Sequence, residues 1–229
     1  MVGTASKPDV LGRDQWTNLW DTGKALWHLD HVYPLLEKHK DLILAGKQDA
    51  RVYIPMCGKA PELKWFYSMG HRVVGVEFIE SIARGFFLDN GLTFHEAKCP
   101  VLDCKIFQSP DKRLQIFVCS VFDFNKSCAG EMDIVWDRGA LSSINVELRD
   151  RYITVMKSLL SPNFSYGLWL AVYDDDTFTG LLRSMPEALL RNLFAGKGIH
   201  LRFIDKEGPT MLGLIKSPVM YYLWHLTEE

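Results

Sequence analysis

Between Arg51 and Tyr173 the chain alternates short β-branched, apolar runs with segments long enough to be helices. Residues 51–56, 72–78 and 132–136 read as strands, and 164–173 as a longer one. Pro61 suits the first turn of a helix over 62–69 that Gly70 closes; 80–90 is a helix ended by Gly91, and 147–160 is another. Parallel strands need such crossovers, and strands covered on both faces read as near-continuous apolar runs. The pattern therefore specifies an α/β fold with a mostly parallel sheet between two helical layers. Residues 92–98 could add a strand, and 105–108 with 114–120 read as a hairpin around Ser109-Pro-Asp-Lys-Arg113. Glu187–Phe194 is a helix ended by Gly196. The final strands, 199–204 and 219–226, are antiparallel because no helix fits between them.

The lead differs. Residues 1–8 are short and polar with no signal-peptide core, and the first ten read as a loose lead. Asp14 could cap a short helix that puts Trp16, Leu19 and Trp20 on one face and stops at Gly23. A second helix over 30–45 carries Val32, Leu35, Leu36, Leu42 and Ile43 and ends at Gly46. Trp is costly to expose, so Trp16, Trp20 and Trp27 must cover something, either the core or a flat ligand under a lid. Trp20 suits the core, Trp16 and Trp27 the lid. Without repeats or linkers, 229 residues read as one domain, with 1–46 as lid and helices and 47–229 as catalytic core.

Charge and cysteine usage narrow the class. A net charge of −2 gives no pull toward nucleic acid or an anionic membrane, and no apolar run approaches the ~20 residues that span a bilayer. Five cysteines, an odd and sparse set without zinc-type spacing, suit a reducing cytoplasm and imply no metal. The chain reads as a monomer acting on a small molecule.

Loops at the carboxyl ends of the strands should carry function. Pro55-Met-Cys-Gly-Lys-Ala-Pro61 follows a strand and opens a helix, and Gly58 permits close backbone approach to a ligand. It is neither the G-x-G-x-x-G fingerprint nor a phosphate cradle, and a tight turn accounts for it equally. Glu77 ends an apolar strand about twenty residues on, where nucleotide-binding folds place an acid for ribose hydroxyls; a surface carboxylate is the plain alternative. Ser120-Val-Phe-Asp123 offers backbone groups for an adenine edge and Asp123 for its amino group, or simply a turn cap. Trp136-Asp-Arg-Gly-Ala140 places Asp137 and Arg138 at a strand end, for a ligand carboxylate, an anionic substrate or an internal ion pair.

Several stretches together resemble the thiopurine S-methyltransferase family of class I S-adenosylmethionine-dependent methyltransferases, from about residue 10 to the end. They are Trp16-x-x-x-Trp20-x-x-Gly23-Lys24, Arg51-Val-Tyr-Ile-Pro-Met-Cys-Gly-Lys-Ala60, Lys64-Trp-Phe66, Gly70-His-Arg-Val-Val-Gly-Val-Glu77, Cys119-Ser-Val-Phe-Asp123, Asp133-Ile-Val-Trp-Asp-Arg-Gly-Ala-Leu141 and Leu226-Thr-Glu228. The resemblance implies a Rossmann-like three-layer sandwich, a seven-stranded sheet with one antiparallel strand, an N-terminal helical lid, and transfer of a sulfonium methyl to a small acceptor. It implies that S-adenosyl-L-methionine is held by Trp16, Trp20, Met56, Cys57, Gly58, Glu77, Ser120, Val121, Asp137 and Arg138. The acceptor, an aromatic or heterocyclic thiol such as a thiopurine, is implied to meet Trp27, Arg138 and Lys216, with Arg138 the catalytic residue.

Departures fall mostly on the acceptor side. Met56 replaces the usual Leu and Trp27 the usual Phe. The 174–186 segment is shorter than in vertebrate members, and 206–218 lacks their arginine, leaving Lys206 and Lys216. Another soft nucleophile (halide, sulfide, selenium or arsenic species) or a non-catalytic cofactor-binding module remain alternatives. A nicotinamide-dependent enzyme is disfavoured by the missing G-x-G-x-x-G.

Overall fold

The computed structural model describes residues 12–174, 178, 180–211 and 215–229. The expected loose lead and parts of the 174–186 and 206–218 segments lie outside them. The elements run α1 (Arg13–Asp21), α2 (Pro34–Lys38), α3 (Lys40–Leu44), β1 (Arg51–Ile54), α4 (Pro61–Ser68), β2 (Arg72–Glu77) and α5 (Glu80–Asp89). They continue β3 (His95–Lys98), β4 (Lys105–Gln108), β5 (Leu114–Val118), α6 (Lys126–Ala129), β6 (Met132–Arg138), α7 (Ala140–Ser143), α8 (Arg149–Leu159), β7 (Leu160–Val172), α9 (Glu187–Phe194), β8 (Ile199–Thr210) and β9 (Val219–Glu228).

The sheet order is β3-β4-β5-β2-β1-β6-β7-β9-β8. Its central five strands are parallel, with Val52 opposite both Val73 and Ile134. Antiparallel β4 and β3 extend one edge, and antiparallel β9 and β8 the other. Nine strands therefore form the described sheet where the resemblance implied seven, because the β3–β4 hairpin lengthens one edge.

Period-two alternation divides the core. Val52, Ile54, Val73, Trp136 and Trp169 point to one face, under Leu63 and Phe66 of α4 and Phe86 and Phe87 of α5. Tyr53, Val74, Val76, Val135 and Leu168 point to the other, under Tyr152, Ile153 and Met156 of α8 and Leu190 and Phe194 of α9. Both faces are thus dry, which explains why the parallel strands read as continuous apolar runs.

Two local expectations change. Gly12, rather than Asp14, is the N-cap of α1, and Asp14 sits in its first turn. The helix expected over 30–45 is two short helices broken at His39 (φ −110°, ψ 20°). At the break Lys38 Nζ and His39 Nε2 both reach Asp205 Oδ2 of β8, each at 2.7 Å. This tertiary contact has no local sequence signal. From β1 the chain winds out to β2 and β5 on one side, then returns to β6 and β7 on the other. The reversal leaves a crevice at the carboxyl ends of β1 and β6, the usual ligand position in such sheets.

Candidate functional site

The crevice is built from β1 upward. After Ile54 the backbone turns through Met56 (φ 46°) and Gly58 (φ 51°), and Pro61 starts α4. A Cβ at Gly58 would lie 3.0 Å from Trp20 Cζ2, so glycine lets the α1 indole lie on this loop. Cys57 donates its backbone N–H to Val76 O at 2.9 Å. Its side chain is buried against Gly75, and burial holds the thiol well above its usual pKa, as expected of an inert packing cysteine.

Glu77 stands behind the loop. Its Oε2 accepts from Gly58 N at 3.0 Å and its Oε1 from Ile79 N at 2.8 Å. Burial pushes this carboxyl up to about 7, against the pull of its backbone N–H partners. Those bonds leave part of its acceptor capacity free.

A cleft of about 410 Å³, part of it open to solvent, is lined by Trp20, Trp27, His28, residues 54–60, Glu62, Trp136 and Arg138. Trp27 meets the edges of Trp16 (5.1 Å) and Trp20 (5.8 Å), and Trp20 tilts over His28 (5.3 Å). Arg138 Nη1 donates to Trp27 O at 3.0 Å, so the guanidinium at the end of β6 ties down this aromatic cluster. Arg138 Nε lies 3.6 Å from Oε1 of the fully buried Glu62, which also accepts from Tyr33 N at 3.2 Å. Partial burial, then the charges of Arg138 and Lys59, hold His28 below its usual pKa, so it is neutral at pH 7. Lys59 reaches Asp89 at 2.7 Å and lies 6.0 Å from the Trp20 ring.

Asp137 points away from this cleft. It is fully buried; Oδ1 accepts from Ala140 N (3.0 Å) and Leu141 N (3.2 Å), and Oδ2 from the Tyr152 and Tyr166 hydroxyls (2.7 and 2.8 Å). Four bonds use all its acceptor positions. The expectation that Asp137 touches a cofactor is therefore corrected: it anchors α7 and so fixes the turn that carries Arg138.

The other expected residues fall in separate places. Trp20, Met56, Cys57, Gly58, Trp27 and Arg138 line one cleft, with Trp16 against Trp27. Ser120 and Val121 lie in the turn after β5, where Ser120 Oγ accepts from Phe122 N (3.2 Å) and its carbonyl from Asp123 N (3.0 Å); neither is on the cleft wall. Asp123 is exposed there. Lys216 is exposed beside buried Ile215, also off the wall. Sequence reasoning missed Glu62, and took His28 in the aromatic lead and Lys59 in the 55–61 loop without giving either a role of its own. Proximity to the 55–61 loop was the one available signal for Glu62 and Lys59, and His28 had only its neighbour Trp27.

These residues fit a cofactor with an aromatic base and polar ends. The cleft is walled by indoles, closed by a glycine contact, and its lining residues keep three buried polar atoms, Glu62 Oε2, Trp136 Nε1 and Arg138 Nε, without a hydrogen-bond partner among the described residues. Solved structures share the fold. A Burkholderia thailandensis 1,6-didemethyltoxoflavin-N1-methyltransferase, bound to S-adenosylhomocysteine, matches with a TM-score of 0.63 at 17% identity, covering 94% of this chain and 86% of that one. The Bradyrhizobium japonicum N-methyltransferase NodS, also with S-adenosylhomocysteine, matches at 0.58 and 10% identity, covering 88% and 91%. Sheet order and the place of the cleft match the class I methyltransferase fold of these structures.

Sequence relatives narrow the class. The rat thiopurine S-methyltransferase is 38% identical over 192 residues, 83% of this chain and 80% of that protein, and the dog enzyme 38% over 203 residues, 87% and 82%. Residues 11–207 match the thiopurine S-methyltransferase family, and the chain belongs to it.

Proposed function

We propose that this methyltransferase acts on a small aromatic or heterocyclic thiol such as a thiopurine, with Arg138 beside the reacting sulfur. The observation that carries this reading is the position of Arg138: a guanidinium, 12% exposed, at the mouth of β6 between an indole wall and a buried carboxylate. Such a group favours an anion, and an acidic heteroaromatic thiol already carries a substantial anionic fraction at pH 7. No strong general base is then required, which suits a neutral His28.

When bound, S-adenosylmethionine supplies an electrophilic methyl on its sulfonium. Met56 would meet its methionine end through backbone, Glu77 its ribose hydroxyls, and Ser120 and Val121 its adenine. Trp16, Trp20 and Trp27 exclude water, with 1–46 acting as a lid on the 47–229 core. Trp27 faces the acceptor ring, and Lys216 adds a second cation on that side. Alignment of sulfur at ~3–3.5 Å from the methyl is the main catalytic contribution. The reading is of a monomeric, cytoplasmic enzyme. In keeping with it, all five cysteines are free thiols and no helix among the described residues is long and apolar enough to cross a membrane.

The test is incubation with methyl-labelled S-adenosylmethionine and a panel of thiols, 6-mercaptopurine included. Label on an aromatic thiol is the expected result. Label only on halide, sulfide, selenium or arsenic species would transfer the reading to another soft nucleophile. No label on any acceptor, with cofactor bound, would leave a binding module.

A further inference from the structure

Glu62 is the most unusual group in the cleft. It lies in the first turn of α4, where an acid is ordinarily solvated, yet it is fully buried. Its Oε1 is occupied by Tyr33 N and faces Arg138 Nε, while its Oε2 has no hydrogen-bond partner. Arg138 shows the complementary condition: Nη1 is held by Trp27 O, while Nε is buried without a hydrogen-bond partner. Buried polar atoms are almost always satisfied, and an unsatisfied one on a cleft wall points to a ligand. The other charges nearby are accounted for, since Lys59 is paired with Asp89 and His28 is neutral. The pair thus presents one anion and one cation side by side, a dipole with a free acceptor and a free donor.

We infer that Glu62 takes the α-ammonium of the cofactor's methionine end, Glu62 and Arg138 together recognising a zwitterionic amino-acid head. This rests on reading the cleft as the cofactor site. A carboxylate with an empty oxygen matches an ammonium with three N–H groups. A neutral ligand end would leave the oxygen desolvated and unpaired. The arrangement selects for an intact amino-acid head rather than for the nucleoside alone.

The test is calorimetric titration of wild type and Glu62→Gln with three ligands. They are S-adenosylhomocysteine, its analogue with hydrogen in place of the α-amino group, and 5′-methylthioadenosine, which lacks the head altogether. A hydrogen bond between charged groups predicts that wild type prefers S-adenosylhomocysteine over the deaminated analogue by about 10- to 100-fold. In Glu62→Gln that preference should fall to a few-fold, with 5′-methylthioadenosine binding unchanged. Equal weakening of all three ligands would assign Glu62 a purely structural role and overturn the inference, as would equal wild-type affinity for the two head-bearing ligands. Should Glu62→Gln not fold, Glu62→Asp withdraws the oxygen by one methylene while keeping the charge; an undiminished preference there would also overturn it. Failure of wild type to bind any of the three would instead overturn the placement of the cofactor in this cleft.

Discussion

Glu77 makes the stability of this protein pH-dependent in an unusual direction. Burial pushes its folded carboxyl up to about 7 against an ordinary 4.5, and its backbone N–H partners and the Arg13 charge offset that only in part. The folded state therefore binds the proton more tightly than the unfolded state. Between pH 4.5 and about 7 the folded state holds more protons, so this residue's contribution to stability falls as pH rises. The gap of about 2.5 pH units, at 1.36 kcal/mol each, makes the full loss about 3 kcal/mol. That is a large fraction of a typical 5–15 kcal/mol. Glu77→Gln removes the titration, so the comparison isolates it from every other group. Urea unfolding followed by tryptophan fluorescence at pH 5, 6, 7 and 8 is a suitable assay, since Trp136 and Trp224 are fully buried reporters. Wild type should lose about 2.5 kcal/mol relative to Glu77→Gln from pH 5 to pH 8, most steeply between pH 5 and 7. A constant difference at all four values would refute the reasoning.

Three further outcomes follow from the same geometry. Arg138→Ala should lower kcat/KM for a thiol acceptor by about 100-fold, as loss of a charge-assisted contact does, and should speed proteolysis before residue 30 because Trp27 O loses its donor; unchanged turnover in a kinetic assay would remove Arg138 from the reaction. Asp137→Ala strands four buried donors and should cost about 4 kcal/mol or more, Asp137→Asn about half that; equal chemical-denaturation midpoints for the two variants would contradict the anchoring role. Gly58→Ala meets both a left-handed φ of +51° and Trp20 at 3.0 Å. It should cost about 1–2 kcal/mol and raise the cofactor KM several-fold. A wild-type KM and wild-type tryptophan emission would show that Trp20 does not rest on this loop.

The parallel core was legible because each strand is dry on both faces and each helix is punctuated. Pro61 opens α4 and Gly91 follows α5 where expected, and Glu187–Phe194 forms as one helix. The break at His39 was not legible, since it depends on Asp205, 166 residues away. Nor was Glu62, which looks like any acid in a helix's first turn. Its burial is set by Arg138 and Tyr33, brought beside it only when β6 pairs with β1. Asp137 and Arg138 were read as one constellation, yet alternation along β6 sends them to opposite sides, one to the tyrosines and one to the cleft. Residue type signalled that something polar happens at a strand end; only the register decided which acid served architecture.

On the proposed reading, the bond from Arg138 to the Trp27 carbonyl makes one side chain both latch for the aromatic cluster and electrostatic partner of the acceptor. If the aromatic cluster opens as a cover to admit or release small molecules, as that reading has it, the hydrogen bond that orients the guanidinium is surrendered. Re-engineering acceptor selectivity at this position would therefore retune residence time as well as charge. A designer seeking a new acceptor would do better to start from the Trp27 side chain, whose indole can be trimmed while its backbone oxygen keeps the latch.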